Sequence, residues 1–502
     1  MERRLDELIL KSVGKGPTEM CLWWRGAWWS RGAFVEMVAS CEESLVQSGF
    51  SRGQRLALVL PNSPTLLACC VATWRLGGSV VPVNPHLKHP SLPDYLKSVD
   101  VFGAIVSSEI EGLVEFINSS GIPAAAASLG DAAPPLHGRS AATDGNSDIA
   151  ALFHTAGAGG DVKAVPITHR NIVTLLYSVM EAITGMDEDD VILNAIPNYH
   201  SLGFVVGGIM PLAAGMPQVV IPSIIPPKGT LSAIRSAGVT IIPAVPMMLS
   251  ILLRDRDITP MNKVKLVFYG GGNLMPGVAE RTKEVFGVEP LEGYGLTEAS
   301  GVLAVTPPPI LGEHGKLIHR SKPGTAGRIL SCFDAEVRDD KGALLPFGEE
   351  GRLWIHGDAV ASGYYRAPEL TAERFRNGWF DTQDIVRLDE DGYITIVSTA
   401  VDVITIGGVP VYSGEIEAIL RQHPDVREAA VVGVPRGKRG EKGEFARGYV
   451  VLREGATARP RDIVMFARTK LPNYKAPRSI KILAELPKNN LGKVLKRDLR
   501  GV

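Results

Sequence analysis

Apolar residues recur at helical spacing through Phe34, Met37, Val38, Cys41, Leu45 and Val46, and residues 55–60 (RLALVL) then read as a short buried strand. Asn62-Ser63-Pro64 places a capping residue ahead of a proline at a first helical position, residues 79–83 (SVVPV) are strand-like, and residues 103–108 (GAIVSS) repeat the pattern. Strands alternating with helices predict parallel sheets covered on both faces. Residues 121–145, rich in Ala, Pro, Gly and Ser without periodicity, read as a surface connection. The stretch from Val191 to Pro227 has no Asp, Glu, Lys or Arg. Pro197, Pro211, Pro217, Pro222 and Pro226 with Gly203, Gly207, Gly208 and Gly215 divide it too finely for a membrane span, so it is expected to be buried core.

From about Gly324 to Ile396 the pattern changes to short strands separated by turn signals, Asp339-Asp340-Lys341-Gly342, Gly348-Glu349-Glu350-Gly351 and Asp389-Glu390-Asp391-Gly392, which predicts a compact antiparallel unit. The 502 residues call for at least two domains. Net charge divides unevenly: from Ser398 onward there are 20 Lys plus Arg against 11 Asp plus Glu, although the whole chain carries only -1. A basic end beside an acidic body suggests a separate lobe that meets an anionic ligand, or simply a lobe with a solvated basic surface. The near-zero total disfavours nucleic acid or an anionic membrane as partner. Five cysteines without a C-x-x-C pair fit neither a zinc site nor a disulfide framework and point to a reducing, cytoplasmic setting. The first residues, with acidic groups interrupting the apolar stretch, do not read as a signal peptide.

Four motifs carry candidate chemistry. After the apolar run Ile149 to Phe153 comes His154-Thr155-Ala156-Gly157-Ala158-Gly159-Gly160-Asp161-Val162-Lys163, where small residues would let backbone N–H groups approach phosphate oxygens beside a lysine. It matches neither common Gly-rich phosphate pattern, and a plain flexible loop explains the same composition. Glu292-Gly293-Tyr294-Gly295-Leu296-Thr297-Glu298 would place Thr297 on a phosphate and Glu298 on Mg²⁺, or else it is a turn with a surface glutamate. Asp384, in Thr382-Gln383-Asp384, is either an acceptor for ribose hydroxyls or a hairpin aspartate. Lys493, after Leu491-Gly492, is either a cation delivered to a phosphoryl group or a solvated lysine.

In this order and at these separations, the set resembles the AMP-forming acyl-CoA synthetase and adenylate-forming ligase superfamily. The resemblance spans nearly the whole chain, through GQRLALVLPNSP, VVPVNPHL, NAIPNYHSLG, EGYGLTEAS, GRLWIHGDAVASGYYRAPELT, DEDGYITI, GGVPVYSGEIE, PNYKAPRSI and the terminal LGK. It implies an α/β fold: a large N-terminal domain (1–397) of two α/β subdomains plus a small β-barrel, and a smaller, mobile α+β C-terminal domain (398–502). It also implies a two-step reaction. ATP, with Mg²⁺, and a carboxylic acid give an acyl-adenylate and pyrophosphate, and the thiol of CoA then takes the acyl group. By the same resemblance Thr155, Gly157, Gly159, Gly160, Lys163, Gly293, Tyr294, Gly295 and Asp384 would hold the nucleotide. Lys493, Thr297 and Glu298 would serve catalysis, Glu298 as metal contact, and Gly407 and Gly408 would line a pantetheine channel. The acyl pocket is expected near His200, Gly203, Val245, Gly270 and Gly271, apolar positions with small residues that are otherwise ordinary core. No charged partner for an ammonium stands there, which favours a fatty or other apolar acid.

The chain also departs from the family pattern. Ala156, Ala158 and Gly159 stand where hydroxyls are usual, Val162 replaces a proline before Lys163, Gln383 replaces the glycine of T-G-D, and Ser398-Thr399 replaces the Gly-Arg before a hinge whose polar position is Val401. Two alternatives therefore accompany the reading: a ligase that hands its acyl group to a carrier-protein phosphopantetheine, and a degenerate nucleotide-binding protein without turnover.

Overall fold

The computed structural model describes residues 4–85, 91–137, 148–156, 162–255, 257–272, 274, 277–311, 317–318, 320–399, 403–406, 409–435, 444–473, 475–488 and 494–500. The architecture is α/β, and the chain divides into a larger unit, Met1–Asp334 with His356–Phe380, and a smaller one, Ala335–Ile355 with Asp381–Val502. Among the described residues no helix is long and apolar enough to cross a membrane.

Two sheets build the larger unit. The first has six strands in the order Ala124–Ala127, Val101–Ser107, Arg55–Val59, Ser79–Pro82, Ile149–Ala156 and Val162–Thr168. Its pairings are parallel except for the last, an antiparallel hairpin. Every residue of Arg55–Val59 and Val101–Ser107 is buried, as parallel strands covered on both faces require. The connection expected over residues 121–145 contains the edge strand Ala124–Ala127. Four alanines carry neither β-branching nor alternation, so only pairing with Val101–Ser107 reveals them as a strand. The helix Pro64–Arg75 begins as its sequence predicts. Ser63 Oγ accepts the Leu66 N–H at 3.2 Å and Pro64 occupies the first turn, where its missing donor costs nothing.

The second sheet has nine strands and contains the parallel neighbours Gln218–Val220, Ile192–Asn194, Ile241–Ala244, Leu266–Tyr269 and Leu291–Tyr294. The uncharged stretch after Val191 supplies two of these strands, both buried as expected, and the π-helix Gly203–Ile209, buried except at Val206; its end departs from the expected core, since Pro222, Ser223, Ile225 and Pro226 lie exposed beyond the strand Gln218–Val220. A π-helix is rare and places one extra residue in a turn. Its start demands glycine, because a Cβ on Gly203 would lie 2.4 Å from the Pro197 carbonyl oxygen.

A cluster of four buried amides joins the two sheets. Asn62 Nδ2 donates to Asn194 Oδ1 (3.1 Å) and to the Ile196 carbonyl (2.8 Å), while Asn62 Oδ1 accepts the Asn198 N–H (2.7 Å). Asn194 Nδ2 donates to Gln218 Oε1 at 2.9 Å, Asn198 Nδ2 to the Gly203 carbonyl at 2.7 Å, and Gln218 Nε2 to the Gly208 carbonyl at 3.1 Å. None of the four side chains is more than 2% exposed, so each amide depends on the others for partners that water cannot supply.

The smaller unit takes up the chain again at Asp381, within the strand Trp379–Leu388. Trp379–Leu388 pairs antiparallel with Ile394–Thr399, and Asp389 closes their turn by accepting the N–H groups of Asp391 (3.0 Å) and Tyr393 (2.9 Å). Val426–Pro435, Glu444–Leu452 and Ser479–Ile482 form a three-stranded sheet packed with the helices Ser413–Arg421 and Pro460–Lys470 around Val411, Ile416, Leu420, Val431, Val450 and Ile463. Glu417 is buried there and its carboxyl is pushed upward by desolvation. Lys496 Nζ at 2.8 Å and the Val431 N–H at 2.8 Å oppose that shift.

Asn194→Ala removes the acceptor and donors at the centre of the amide cluster and leaves Asn62, Asn198 and Gln218 short of partners. A loss of about 3 kcal/mol follows for the larger unit. Thermal unfolding followed by circular dichroism should show a clearly lowered first midpoint, and a midpoint equal to wild type would show the cluster to be dispensable.

Candidate nucleotide and acyl site

Parallel strands in an open α/β sheet present their carboxyl ends to ligands, and the expected residues gather at those ends. Val245 follows Ile241–Ala244 and its carbonyl opens the helix Pro246–Leu252, accepting the Leu249 N–H at 3.2 Å. Gly270 and Gly271 follow Leu266–Tyr269, and Gly293 and Tyr294 end Leu291–Tyr294. A Cβ built on Gly270 would lie 3.1 Å from the Gly293 carbonyl oxygen and 3.7 Å from Leu202, so expected acyl and nucleotide positions are immediate neighbours. Gly295 packs still closer: its Cβ would fall 2.2 Å from the Gly301 carbonyl, which leaves no room for a side chain.

Beyond Gly295 the chain makes the short 3₁₀ turn Thr297–Ala299. Thr297 Oγ1 lies 3.3 Å from Ser201 Oγ, bringing the turn against the residue after His200. Glu298 is fixed twice, its carbonyl accepting the Ala361 N–H (2.8 Å) and its Oε1 accepting the Tyr364 phenol (2.8 Å). Tyr364 also receives the Lys163 ammonium over its ring, at 5.1 Å from the centroid. Burial, followed by the charge of Glu298, pushes the Tyr364 phenol far up, so it remains a donor. The segment leading to Tyr364 is held by Asn171 Nδ2, which donates to the carbonyls of Asp358 (2.6 Å) and Val360 (3.1 Å). Asn171 is itself part of the capping box that starts the helix His169–Ala182.

Lys163 stands directly opposite Thr155 in the antiparallel hairpin of Ile149–Ala156 with Val162–Thr168. The ladder therefore sets the expected phosphate ligands side by side at the mouth of the loop. Gly157, Gly159 and Gly160 lie outside the described residues.

Two imidazoles line this region without hydrogen-bond partners on one nitrogen each: His154 Nδ1 and His200 Nε2 are buried and unpartnered. Burial pushes both down, His200 to about 4 with His154 adding to the effect, so each is neutral near pH 7. His200 follows the amide-anchored segment and opens toward the π-helix through the Phe204 N–H, which donates to its carbonyl at 2.8 Å. Sequence reasoning singled out His200 and gave His154, one residue before Thr155, no role beyond opening the Gly-rich motif. It also missed Tyr364, whose only signal is its place in the SGYYRAP stretch.

Within the smaller unit, Asp384 is half-buried on Trp379–Leu388 with Thr399 as its register partner across the ladder. Thr382 Oγ1 both donates to the Leu353 carbonyl (2.9 Å) and accepts the Asp384 N–H (3.0 Å), fixing the aspartate's backbone. Gln383 adopts φ 62°, a left-handed conformation that favours glycine. Lys493, Gly407 and Gly408 fall outside the described residues. The base of the Lys493 segment is defined: Lys488 and Val494 form an antiparallel bridge, and the Leu495 N–H donates to the Pro487 carbonyl at 2.8 Å.

A divalent ion fits the oxygen chemistry of the Thr297–Glu298 turn. Among the described residues no group of three or more His, Cys, Asp or Glu could hold a metal alone.

The sequence profile described as AMP-binding enzyme matches residues 10–365, and that of the AMP-binding enzyme C-terminal domain matches residues 415–493. A long-chain-fatty-acid–CoA ligase of Yersinia pestis is 32% identical over 359 residues, 71% of this chain and 62% of its own length, so the match spans less than two thirds of that relative. A feruloyl-CoA synthase of an Amycolatopsis species is 30% identical over 474 residues, 92% of this chain and 91% of its own. The crystal structure of ATP-bound MatB from Rhodopseudomonas palustris superposes with a TM-score of 0.86 at 26% identity, over 99% of this chain and 98% of that one.

The left-handed backbone at Gln383 generates a direct test. A non-glycine residue there carries roughly 1 kcal/mol of strain, so Gln383→Gly should raise the stability of the smaller unit by about that amount. Denaturant unfolding of the two proteins measures it, and an unchanged or lowered midpoint would show the side chain to be compensated locally.

Proposed function

Because the chain belongs to the AMP-binding enzyme family, the adenylate-forming acyl-CoA ligases, we propose that it is an ATP-dependent acid–thiol ligase. A carboxylate is a poor acyl donor. In the first step its oxygen attacks the α-phosphorus of ATP, the bond to the bridging oxygen of the β-phosphate breaks, and pyrophosphate leaves with the electron pair. In the second, the thiol sulfur of CoA attacks the acyl carbon, AMP departs, and the thiol proton is lost. The observation that carries this reading is the convergence of Thr155 and Lys163, paired in register, with the Glu298 turn through Tyr364.

Thr155, Lys163 and the backbone of Gly157, Gly159 and Gly160 would hold the phosphates, Gly293, Tyr294 and Gly295 the nucleoside, and Asp384 the ribose hydroxyls. Thr297 and Glu298 would meet the triphosphate and Mg²⁺, which when bound neutralises charge building on the phosphate oxygens. Neutral His200, with Gly203, Val245, Gly270 and Gly271, would border the acyl group. The apolar character of those positions, together with relatives named for long-chain fatty acids and for feruloyl-CoA, supports a fatty or aromatic acid. Residues 1–397 and 398–502 would act as body and mobile lobe. The strands within 335–399 would close the small barrel, Lys493 would serve adenylation, and Gly407 and Gly408 would line the route of the pantetheine arm. Five free thiols suit a cytoplasmic enzyme.

A second reading, a nucleotide-binding protein without turnover, is favoured by Ala156 and Ala158 in the loop and by Thr399, opposite Asp384, in place of arginine. Acid-dependent release of pyrophosphate from ATP, measured across fatty and aromatic acids with CoA or a carrier protein as acceptor, separates the readings. Release with apolar acids and thioester formation on CoA is the expected result, and ATP binding without release for any acid would establish the second reading instead. Lys493→Ala should lower adenylation about 10²-fold while leaving thioester formation from supplied acyl-adenylate nearly unchanged. Equal losses in both half-reactions would remove Lys493 from its assigned role. Thr399→Arg would place a cation across the ladder from Asp384 and should tighten ATP binding roughly tenfold. Calorimetric titration measures this, and no gain would show that the missing arginine is not limiting.

A further inference from the structure

Glu298 and Lys163 have opposite charges, long flexible side chains and a common neighbour in Tyr364. The phenol donates to Glu298 Oε1 at 2.8 Å, and the same ring carries the Lys163 ammonium at 5.1 Å from its centroid. Tyr364 itself is only 5% exposed. Its N–H donates to Thr371 Oγ1 at 2.9 Å, and its ring meets Phe375 edge-on at 5.6 Å. The Ala361 N–H holds the Glu298 carbonyl at 2.8 Å, so the backbones on both sides are tied as well.

We propose that Tyr364 is a positioning residue of the nucleotide site, its hydroxyl setting the direction of the Glu298 carboxylate and its ring face setting the place of the Lys163 ammonium before ATP arrives. This deepens the ligase reading and rests on it. A glutamate carboxylate turns freely about its last torsion, and a lysine side chain is flexible along its whole four-carbon stem. One rigid, buried side chain restrains both. The hydrogen bond engages Oε1 and leaves Oε2 as the oxygen to meet a cation. A phenylalanine would keep the ring face and lose the carboxylate restraint. A leucine would lose both.

The test separates these contributions using the full-length protein. ATP binding is followed by calorimetry without acid substrate, over a Mg²⁺ series, and acid-dependent pyrophosphate release is followed in parallel. In Tyr364→Phe the Mg²⁺ concentration for half-maximal ATP binding should rise roughly tenfold, with binding in the absence of Mg²⁺ unchanged. Glu298→Gln should show a similar rise, and the double variant should add little to either. Tyr364→Leu should also weaken ATP binding without Mg²⁺, since the ring face beneath the Lys163 ammonium is gone. A wild-type Mg²⁺ dependence in Tyr364→Phe, or fully additive effects in the double variant, would overturn the proposal while leaving the ligase reading intact. Wild-type protein that binds no ATP at any Mg²⁺ concentration would overturn both. ATP binding that follows the expected pattern without pyrophosphate release would uphold Tyr364 and remove turnover alone.

Discussion

The buried cluster of Asn62, Asn194, Asn198 and Gln218 is the constraint on which the larger unit's site depends. Two sheets with apolar faces could pack in many nearly equivalent ways, because hydrophobic contact is not directional. Amides without access to water are different: they are satisfied in one arrangement and left short in its neighbours. Here that arrangement fixes residues 194–203, and with them His200, Ser201 and the start of the π-helix. Ser201 in turn meets Thr297. A preference for hydrogen bonding in the core thus becomes the relative position of a candidate acyl pocket and a candidate phosphate turn.

Much of this was legible in the chain. Buried parallel strands announce themselves as apolar runs such as residues 55–60, and the Ser63-Pro64 helix start follows from local chemistry alone. The turns at Asp339 and Asp389 were equally local, each aspartate folding back on nearby N–H groups. What sequence could not supply was pairing over distance. Ala124–Ala127 is a strand only because Val101–Ser107 lies beside it, and Asn62 looked like part of a cap until Asn194 was placed against it. Candidate residues behaved the same way. Glu298 and Lys163 were visible as motif members, whereas Tyr364, sixty-six positions from Glu298, is defined by contact rather than pattern.

Electrostatics in the site follow from burial more than from net charge. His154 and His200 are kept neutral by desolvation, Tyr364 is kept protonated, and Glu298 finds a neutral donor rather than a counter-ion. A site so arranged sets one cation over a ring face and one anion on the phenol of that same ring.

The hairpin that carries Thr155 and Lys163 has a further consequence. Their pairing is written into the ladder of Ile149–Ala156 with Val162–Thr168, and alternate side chains of a strand face opposite ways. Residues within the connecting loop can therefore be exchanged without moving the two polar groups at its mouth. A change of register in the strands, by contrast, would turn one of them to the other side of the sheet. Drift in such a chain is free in the loop's composition and closed in the strands' alignment.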